Sequence, residues 1–263
     1  MYLFSIKLPQ IKKNDPLLEI VVNKIKENKE SLQDRDILVI SEKIIATSQG
    51  RIIELDKVKP ISQKAKELAK KYDMNEKYVE LILREASSIL GGMKKVILAE
   101  INNFLIANAG IDQSNAGLGK VVLLPENMKD LVWHFWKQLR KEFNISDLGI
   151  IFADSRVQPL RKGTIGVALA TAGFEPIEDC RGQPDLFGRP LEITMRAIAD
   201  DLTSAAQFLL GEADEQTPVV IIRGAKVKFT ENPQLNTEMS PEECLYMNIF
   251  SKYLLKKKKR DLL

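Results

Sequence analysis

The sequence predicts an α+β protein of two interlocked parts with mixed β-sheets. With 263 residues, the chain is long enough for one large or two modest domains. Short apolar runs typical of buried strands are mixed with longer segments of helical periodicity, and the two kinds neither alternate strictly nor segregate. No internal repeat or long linker divides the chain. We therefore expect residues 1–263 to form a single unit made of two intimately packed parts.

Composition argues against several classes of protein. Hydrophobic residues make up 44% and charged residues 29% of the chain, as in globular proteins. The net charge of +3 gives no general case for nucleic acid, and we interpret the basic tail, residues 256–263, as a solvated end. No segment approaches the roughly 20 apolar residues of a membrane helix, and no signal peptide is recognisable. Cys180 and Cys244 fit a reducing compartment. We expect a cytoplasmic protein without a nucleic-acid or membrane partner.

Periodicity and capping residues predict the main elements. Strands of a hairpin are expected at Val96–Ala99 and Phe104–Ala107, joined by Asn102 and Asn103. The other predicted strands are short buried runs: Asp36–Ile40, Gly149–Ala153, Gly166–Ala172 and Val219–Ile222. The predicted helices have an apolar stripe or a capping signal: Pro16–Lys26, Ile61–Tyr72, Asn75–Ser87, Asn127–Phe143 and Ile193–Leu210. His134, the only histidine, is expected to be a surface or packing residue.

Polar residues follow three of the predicted strands. Ser41-Glu42-Lys43 follows the first, Asp154-Ser155-Arg156 follows another, and the loop Ala107–Gly117 contains Asp112. Two aspartates in one cleft would hold Mg²⁺ or Mn²⁺, and Lys43 could contact a phosphate. The alternative interpretations are a tight turn for the loop and, for the triplet, a polar strand end that leads into a helix. Standard nucleotide-binding loops are absent, so a nucleotide would have to be held differently.

The motifs, taken in order, resemble the coenzyme F420-0:L-glutamate ligase family. The resemblance covers most of the chain. It rests on Leu38–Ile44, on Ala107–Asn115, and on Pro218–Gly224 near the carboxyl end. Between these segments it rests on Asp179-Cys180-Arg181-Gly182, Asp185–Arg189 and Ala199–Leu202, which stand in the family's order.

The resemblance implies a GTP- and divalent-metal-dependent γ-glutamyl ligase. In this chemistry the γ-phosphoryl group of GTP passes to an acceptor carboxylate, and the amine of L-glutamate attacks the acyl phosphate. The protein mainly positions reactants and neutralises charge, so the scarcity of histidine is no objection. The implied default acceptor is coenzyme F420-0, and an intertwined homodimer is implied. A non-catalytic nucleotide-binding protein is the alternative from another class.

Site residues are carried over from the family position by position. Asp112 and Asp154 resemble ligands of one Mg²⁺ or Mn²⁺ ion, and Ser155 and Glu212 fall at the ligand positions of a second; K⁺ is an additional candidate. Asp112, Asp154 and Lys43 are the expected catalytic residues. The expected nucleotide contacts come from three parts of the chain: Leu8, Pro9, Gln10, Ile11, Ser41, Glu42, Lys43, Asn115, Leu210, Gly211, Glu212, Ala213, Asp214, Glu215, Gln216 and Thr217.

Some positions depart from the family pattern. The family commonly has Thr at the position of Ser155 and Gln at that of Glu212, and both replacements keep an oxygen ligand. Asn102-Asn103 stands where the family usually has a His-Gly pair, and residues 156–161 differ from the family's usual Phe-Gly-Arg motif. The nucleotide and metal machinery therefore looks retained, whereas the acceptor pocket differs. Folate, which carries a glutamyl tail with a free carboxylate, is the alternative acceptor.

Overall fold

A computed structural model describes residues 1–249, so the basic tail 256–263 lies outside the described residues. The chain forms two compact units. The first comprises Met1–Ile53 and Asp112–Thr237, and the second comprises Glu54–Ile111 and, of the described residues, 238–249. Both contain helices and sheets, which confirms the predicted α+β class. Among residues 1–249, no helix is long and apolar enough to cross a membrane.

A five-stranded mixed sheet forms the centre of the first unit. Its strands are β1 (Tyr2–Ile6), β2 (Asp36–Ser41), β8 (Leu148–Val157), β9 (Thr164–Ala172) and β12 (Val219–Arg223). They lie in the order β1-β12-β2-β8-β9, in which the pair β2 and β8 is parallel and the other neighbouring pairs are antiparallel. The parallel pair matters for function because its two carboxyl ends meet at one edge of the sheet.

Helices cover both faces of this sheet. Helix α6 (Ile198–Leu210) packs with Leu202 and Ala206 on a face that includes Val39 and Ile151. Helix α5 (Met128–Phe143) covers the other face, where Phe135 meets Phe152 edge to face at 5.5 Å between ring centroids. Successive strand residues point to opposite faces, so this alternation determines which side chains can reach each helix. Further helices of this unit are α1 (Leu17–Glu27) and α2 (Glu42–Ser48).

Helix α2 begins where β2 ends. Ser41 is the last strand residue and also the N-cap, because its hydroxyl accepts a hydrogen bond from the backbone N–H of Lys43 at 3.4 Å. The first turn of α2 therefore contains Glu42 and Lys43. Two short strands, β3 (Ile52–Glu54) and β7 (Lys120–Val122), pair separately from the large sheet.

The second unit contains two helices and an antiparallel sheet. Its helices are α3 (Gln63–Tyr72) and α4 (Glu76–Glu85), and its strands are β4 (Ser88–Met93), β5 (Val96–Ile101) and β6 (Phe104–Ala107). Glu80 joins the helices because its carboxylate accepts hydrogen bonds from the backbone N–H and the hydroxyl of Ser62, the N-cap of α3. The predicted hairpin around Asn102 and Asn103 is confirmed.

Two predicted boundaries differ from those observed by more than two residues. The strand expected to end at Ala153 continues to Val157, because β9 pairs with it along that length and includes the pair Asp154 with Val167. The helix expected from Ile193 begins at Ile198, because Met195 and Arg196 form β11 (Met195–Arg196), which pairs with β10 (Glu178–Asp179). In both cases pairing with another strand, and not the local apolar pattern, determines the structure.

Candidate active site

The carboxyl edge of the parallel strand pair brings two acidic residues together. Ser41 pairs with Ala153 in the register of β2 and β8, so the next residues along the chain, Glu42 and Asp154, are neighbours. Because Ala153 packs towards α6, Asp154 turns to the opposite face, on the side of α2. Asp154 was predicted to follow the strand, but it lies within β8. The structure nevertheless places it beside the triplet that begins α2.

Lys43 and Asp112 form an ion pair beside these acids. The ammonium group of Lys43 donates a hydrogen bond to the Asp112 carboxylate and another to the Ser114 hydroxyl at 3.1 Å. Asp112 is anchored by reciprocal backbone hydrogen bonds with Val122, at 3.0 and 2.8 Å. Its carboxylate also accepts the backbone N–H of Ser114 at 2.8 Å, which closes a local turn. The loop is therefore a tight turn and also an arm that presents a carboxylate.

The two neighbouring acids resist ionisation. Burial raises the pKa of Glu42 well above 4.5, the repulsion from Asp154 raises it further, and Lys43 acts in the opposite direction. Burial likewise raises the pKa of Asp154 from 3.8 to about 6, against the lowering effects of the Ser155 N–H and the charge of Lys43. Carboxyls with raised pKa values at a strand edge are typical of functional sites, because a core of ordinary packing avoids them.

The pKa values of Lys43 and Asp112 are shifted in the directions that favour their charged forms. Burial alone would lower the pKa of Lys43, but its bond to Asp112 and the nearby acids raise it. Burial alone would raise the pKa of Asp112, but hydrogen bonds from Lys43 and Ser114 lower it. Both groups are therefore charged at neutral pH, whereas Glu42 and Asp154 share an environment that penalises two negative charges.

The predicted nucleotide segments meet in the first unit. The Leu8 N–H donates to the Gln216 carbonyl at 3.2 Å, and the Asn115 side-chain amide donates to the Ala213 carbonyl at 2.8 Å. Ala213 in turn donates its N–H to the Glu215 carboxylate at 2.8 Å. Gly211 ends α6 at a φ of 70°, and a side chain there would collide with the Glu215 carboxylate. The structure thus brings the amino-terminal segment, the Asp112 loop and the segment after α6 together.

Glu212 and Ser155, predicted to bind a second cation, have different surroundings. The exposed Glu212 carboxylate accepts hydrogen bonds from Thr164 at 2.9 Å and from Gln207 at 2.7 Å. Its charge contributes to the raised pKa of Asp154, so it lies within electrostatic range of the cluster. Ser155 donates its backbone N–H to the Asp154 carboxylate at 2.6 Å. Thr164 and Gln207 were not predicted, because only the pairing of β9 and the packing of α6 place them here.

The donor set fits a hard divalent cation. Asp112, Asp154 and Glu42 offer carboxylate oxygens, and Ser114 adds a hydroxyl, which are the ligand types that Mg²⁺ and Mn²⁺ prefer. A cation would also remove the repulsion that raises the pKa values of Glu42 and Asp154. Within residues 1–249, three or more acidic, histidine or cysteine side chains are nowhere gathered into a ready metal-binding group. The fit therefore rests on donor chemistry and charge.

A concavity lies at the end of the sheet opposite this cluster. It has a volume of about 620 Å³, and its lining includes Arg35 and Arg223. These cations are already paired, Arg35 with Asp147 and Arg223 with Asp36. These two arginines are therefore engaged in internal ion pairs, and the cluster around Lys43 is the better candidate for chemistry.

This combination of an α+β fold with a lysine and several carboxylates at one strand edge is that of an enzyme with a highly charged active site. The sequence profile of the F420-0:gamma-glutamyl ligases matches residues 5–224. The chain therefore belongs to the F420-0:gamma-glutamyl ligase family.

Individual relatives agree with this family. The chain is 40% identical over 218 residues to the coenzyme F420:L-glutamate ligase of Methanocaldococcus jannaschii, and the aligned region covers 82% of this chain and 86% of the relative. The Methanopyrus kandleri enzyme of the same name is 37% identical over 218 residues, covering 82% and 84%. That of Methanococcus maripaludis strain C7 is 34% identical over 249 residues, covering 94% and 97%. The likeness therefore extends over nearly whole chains.

Proposed function

We propose that this protein is a GTP- and divalent-metal-dependent γ-glutamyl ligase that joins L-glutamate to coenzyme F420-0 through an acyl phosphate. The observation that carries the proposal is the placement of the Lys43–Asp112 ion pair beside Asp154 at the carboxyl edge of β2 and β8. The family membership and the names of the relatives support the ligase reaction and the acceptor. The site chemistry supports the metal and the phosphoryl transfer.

The reaction needs charge neutralisation more than a proton-transfer base. An acceptor carboxylate oxygen attacks the γ-phosphorus of GTP, and the bond to the leaving GDP breaks. The glutamate nitrogen then attacks the acyl carbon, phosphate leaves with its bonding electrons, and the amine gives up a proton to solvent. Lys43 would neutralise phosphate oxygens, and Asp112 and Asp154 would hold Mg²⁺ or Mn²⁺, which supplies further neutralisation when bound.

Backbone and amide groups around the cluster suit a nucleotide. The segment from Leu210 to Thr217 and the segment from Leu8 to Ile11 are joined by the hydrogen bond between Leu8 and Gln216. Asn115 reaches the former segment through Ala213. We assign these segments to GTP, with Ser155 and Glu212 as oxygen donors for a second cation.

The proposal includes a homodimer. The hairpin formed by residues 178–196 displays Leu186, Phe187 and Ile193 with about nine-tenths of each side chain exposed. Large apolar side chains exposed on one hairpin are commonly covered by another chain. Light scattering coupled to size exclusion should give twice the mass of one chain, and a monomer mass at micromolar concentration would contradict this part.

Product mass spectrometry tests the function. The purified protein is incubated with GTP, Mg²⁺ or Mn²⁺ and L-glutamate, and with either F420-0 or a reduced folate as acceptor. We expect F420-0 to gain a glutamyl residue, and Asp112→Asn to abolish the gain. A gain on folate alone would replace the acceptor but keep the chemistry. No gain on either acceptor, without GTP hydrolysis, would support the non-catalytic alternative.

A further inference from the structure

The Asp112 carboxylate is an expected ligand of the proposed divalent cation, but in this structure it is paired with a positively charged side chain of the protein. Its partner is the Lys43 ammonium, which also bonds to Ser114. The Lys43 side chain is 24% exposed and that of Asp112 is 42% exposed, so solvent ions can reach the pair. Both carboxylate oxygens already accept hydrogen bonds, Oδ1 from the Ser114 N–H and Oδ2 from the Lys43 ammonium and the Ser114 hydroxyl. A divalent ion that binds Oδ2 therefore competes with the ammonium group.

The charges of the cluster are unbalanced in this arrangement. Three carboxyl groups, those of Glu42, Asp112 and Asp154, lie around the positive charge of Lys43, and burial and mutual repulsion penalise the ionised forms of Glu42 and Asp154. In the part of the chain that the structure describes, Glu42 and Asp154 form no ion pair of their own. A divalent ion bound at Asp112 and Asp154 would favour their ionised forms, and it would repel the Lys43 ammonium from its place on Asp112.

The ends of the pair are fixed, so only the lysine side chain has to move. Asp112 is held by its two backbone hydrogen bonds to Val122. Lys43 is held by its place in the first turn of α2, where its N–H bonds to Ser41. The ammonium group of a lysine stands at the end of a flexible chain of four methylene groups, and it interacts as a point charge without a required orientation. The change therefore needs no shift of the backbone.

We infer that Lys43 is an exchangeable counterion of Asp112, which holds the carboxylate until a divalent cation binds and then releases its ammonium group towards the phosphates of the nucleotide. This inference rests on the proposed function, and it adds an order of events in which cation binding frees the phosphate-binding lysine. It predicts opposite effects of one substitution: loss of Lys43 strengthens metal binding and weakens nucleotide binding.

Metal titration without nucleotide tests the exchange. Mn²⁺ binding to the chelator-treated full chain is followed by the electron paramagnetic resonance of free Mn²⁺. Lys43→Met should bind Mn²⁺ about three- to tenfold more tightly than wild type, as expected for loss of a competing half-exposed ion pair. Lys120→Met, which removes the same charge near the loop, is the matched control and should change the affinity less. Lys43→Gln serves if Lys43→Met does not fold.

A second readout uses the wild-type protein. Acylation of lysines by an N-hydroxysuccinimide ester, mapped by mass spectrometry, should increase at Lys43 when Mn²⁺ is added and stay constant at Lys120. If Lys43 instead serves as a fixed clamp of the loop, Lys43→Met binds Mn²⁺ more weakly and the labelling does not increase. Either result overturns the exchange.

The test separates this inference from the proposed function. Asp112→Asn should remove the tight Mn²⁺ site. If wild type binds Mn²⁺ through Asp112 but Lys43→Met shows no gain, the exchange fails and the metal site stands. If neither wild type nor Lys43→Met binds Mn²⁺, the proposed metal site fails, and the exchange fails with it.

Discussion

Replacing Asp154 by Asn should stabilise the metal-free protein at pH 8. The pKa of Asp154 is raised from 3.8 to about 6, mainly by burial. A difference of about two pKa units corresponds to about 3 kcal/mol of folding free energy that the ionised carboxylate costs at high pH. Asparagine keeps an oxygen that can accept the Ser155 N–H and removes the charge. The variant should therefore gain up to about 3 kcal/mol at pH 8.

The gain should depend on pH in a defined direction. Because the folded-state pKa of Asp154 lies above the unfolded value, the folded protein binds more protons between pH 3.8 and about 6. Its stability contribution is present below 3.8 and is lost as the pH rises through 6. The difference between Asp154→Asn and wild type should thus be small near pH 4 and reach its plateau above pH 7.

Urea unfolding in the presence of a chelator, at pH values from 4 to 8, measures this difference. Asp179→Asn is the control, because the pKa of Asp179 is lowered to about 2 by its hydrogen bonds with Arg181, and its loss should bring no stabilisation. Equal stability of Asp154→Asn and wild type at pH 8, or a less stable variant, would refute the assignment of a strained acidic cluster at this strand edge.

Three further substitutions have definite expectations. Asp112→Asn should lower ligase turnover by about 10²-fold or more in a product assay, because it weakens the proposed cation site and removes the ion pair with Lys43. Asp36→Ala should cost about 3–5 kcal/mol in urea unfolding, because it leaves the bidentate partner Arg223 without its buried carboxylate. Gly173→Ala should lower the melting temperature far more than Gly163→Ala. A Cβ at Gly173 would lie 1.9 Å from a backbone oxygen, whereas a Cβ at Gly163 would meet open space. Both glycines have a positive φ, so backbone strain is similar in the two variants.

Local patterns predicted much of the fold. The helices α1 and α5 and the buried strand β2 follow directly from apolar periodicity and length, and their observed bounds differ from the predicted ones by a residue or so. The short helix α2 was foreseen only in the alternative interpretation of Ser41 to Lys43 as a polar strand end that leads into a helix, and its bounds were not predicted. The N-cap role of Ser41 was the local signal that could have revealed it.

Pairing between distant segments explains what the sequence did not predict. The parallel register of β2 and β8 makes Glu42 a neighbour of Asp154. Glu42 was predicted only as a nucleotide contact, but its pKa is raised by burial and by repulsion from Asp154. The Lys43–Asp112 ion pair joins residues 69 positions apart. The sequence could nominate these residues from their chemistry, but only the sheet and the loop anchored at Val122 determine which of them meet.

The most direct test of the proposed reaction follows oxygen atoms. The acceptor F420-0 is prepared with ¹⁸O in its reacting carboxylate and incubated with the protein, GTP, Mn²⁺ and L-glutamate. An acyl phosphate predicts that the amide product retains one labelled oxygen and that the released phosphate carries one, detected by mass spectrometry. Glutamyl product accompanied by phosphate without label would contradict phosphoryl transfer to the acceptor and with it the roles given to Lys43, Asp112 and Asp154.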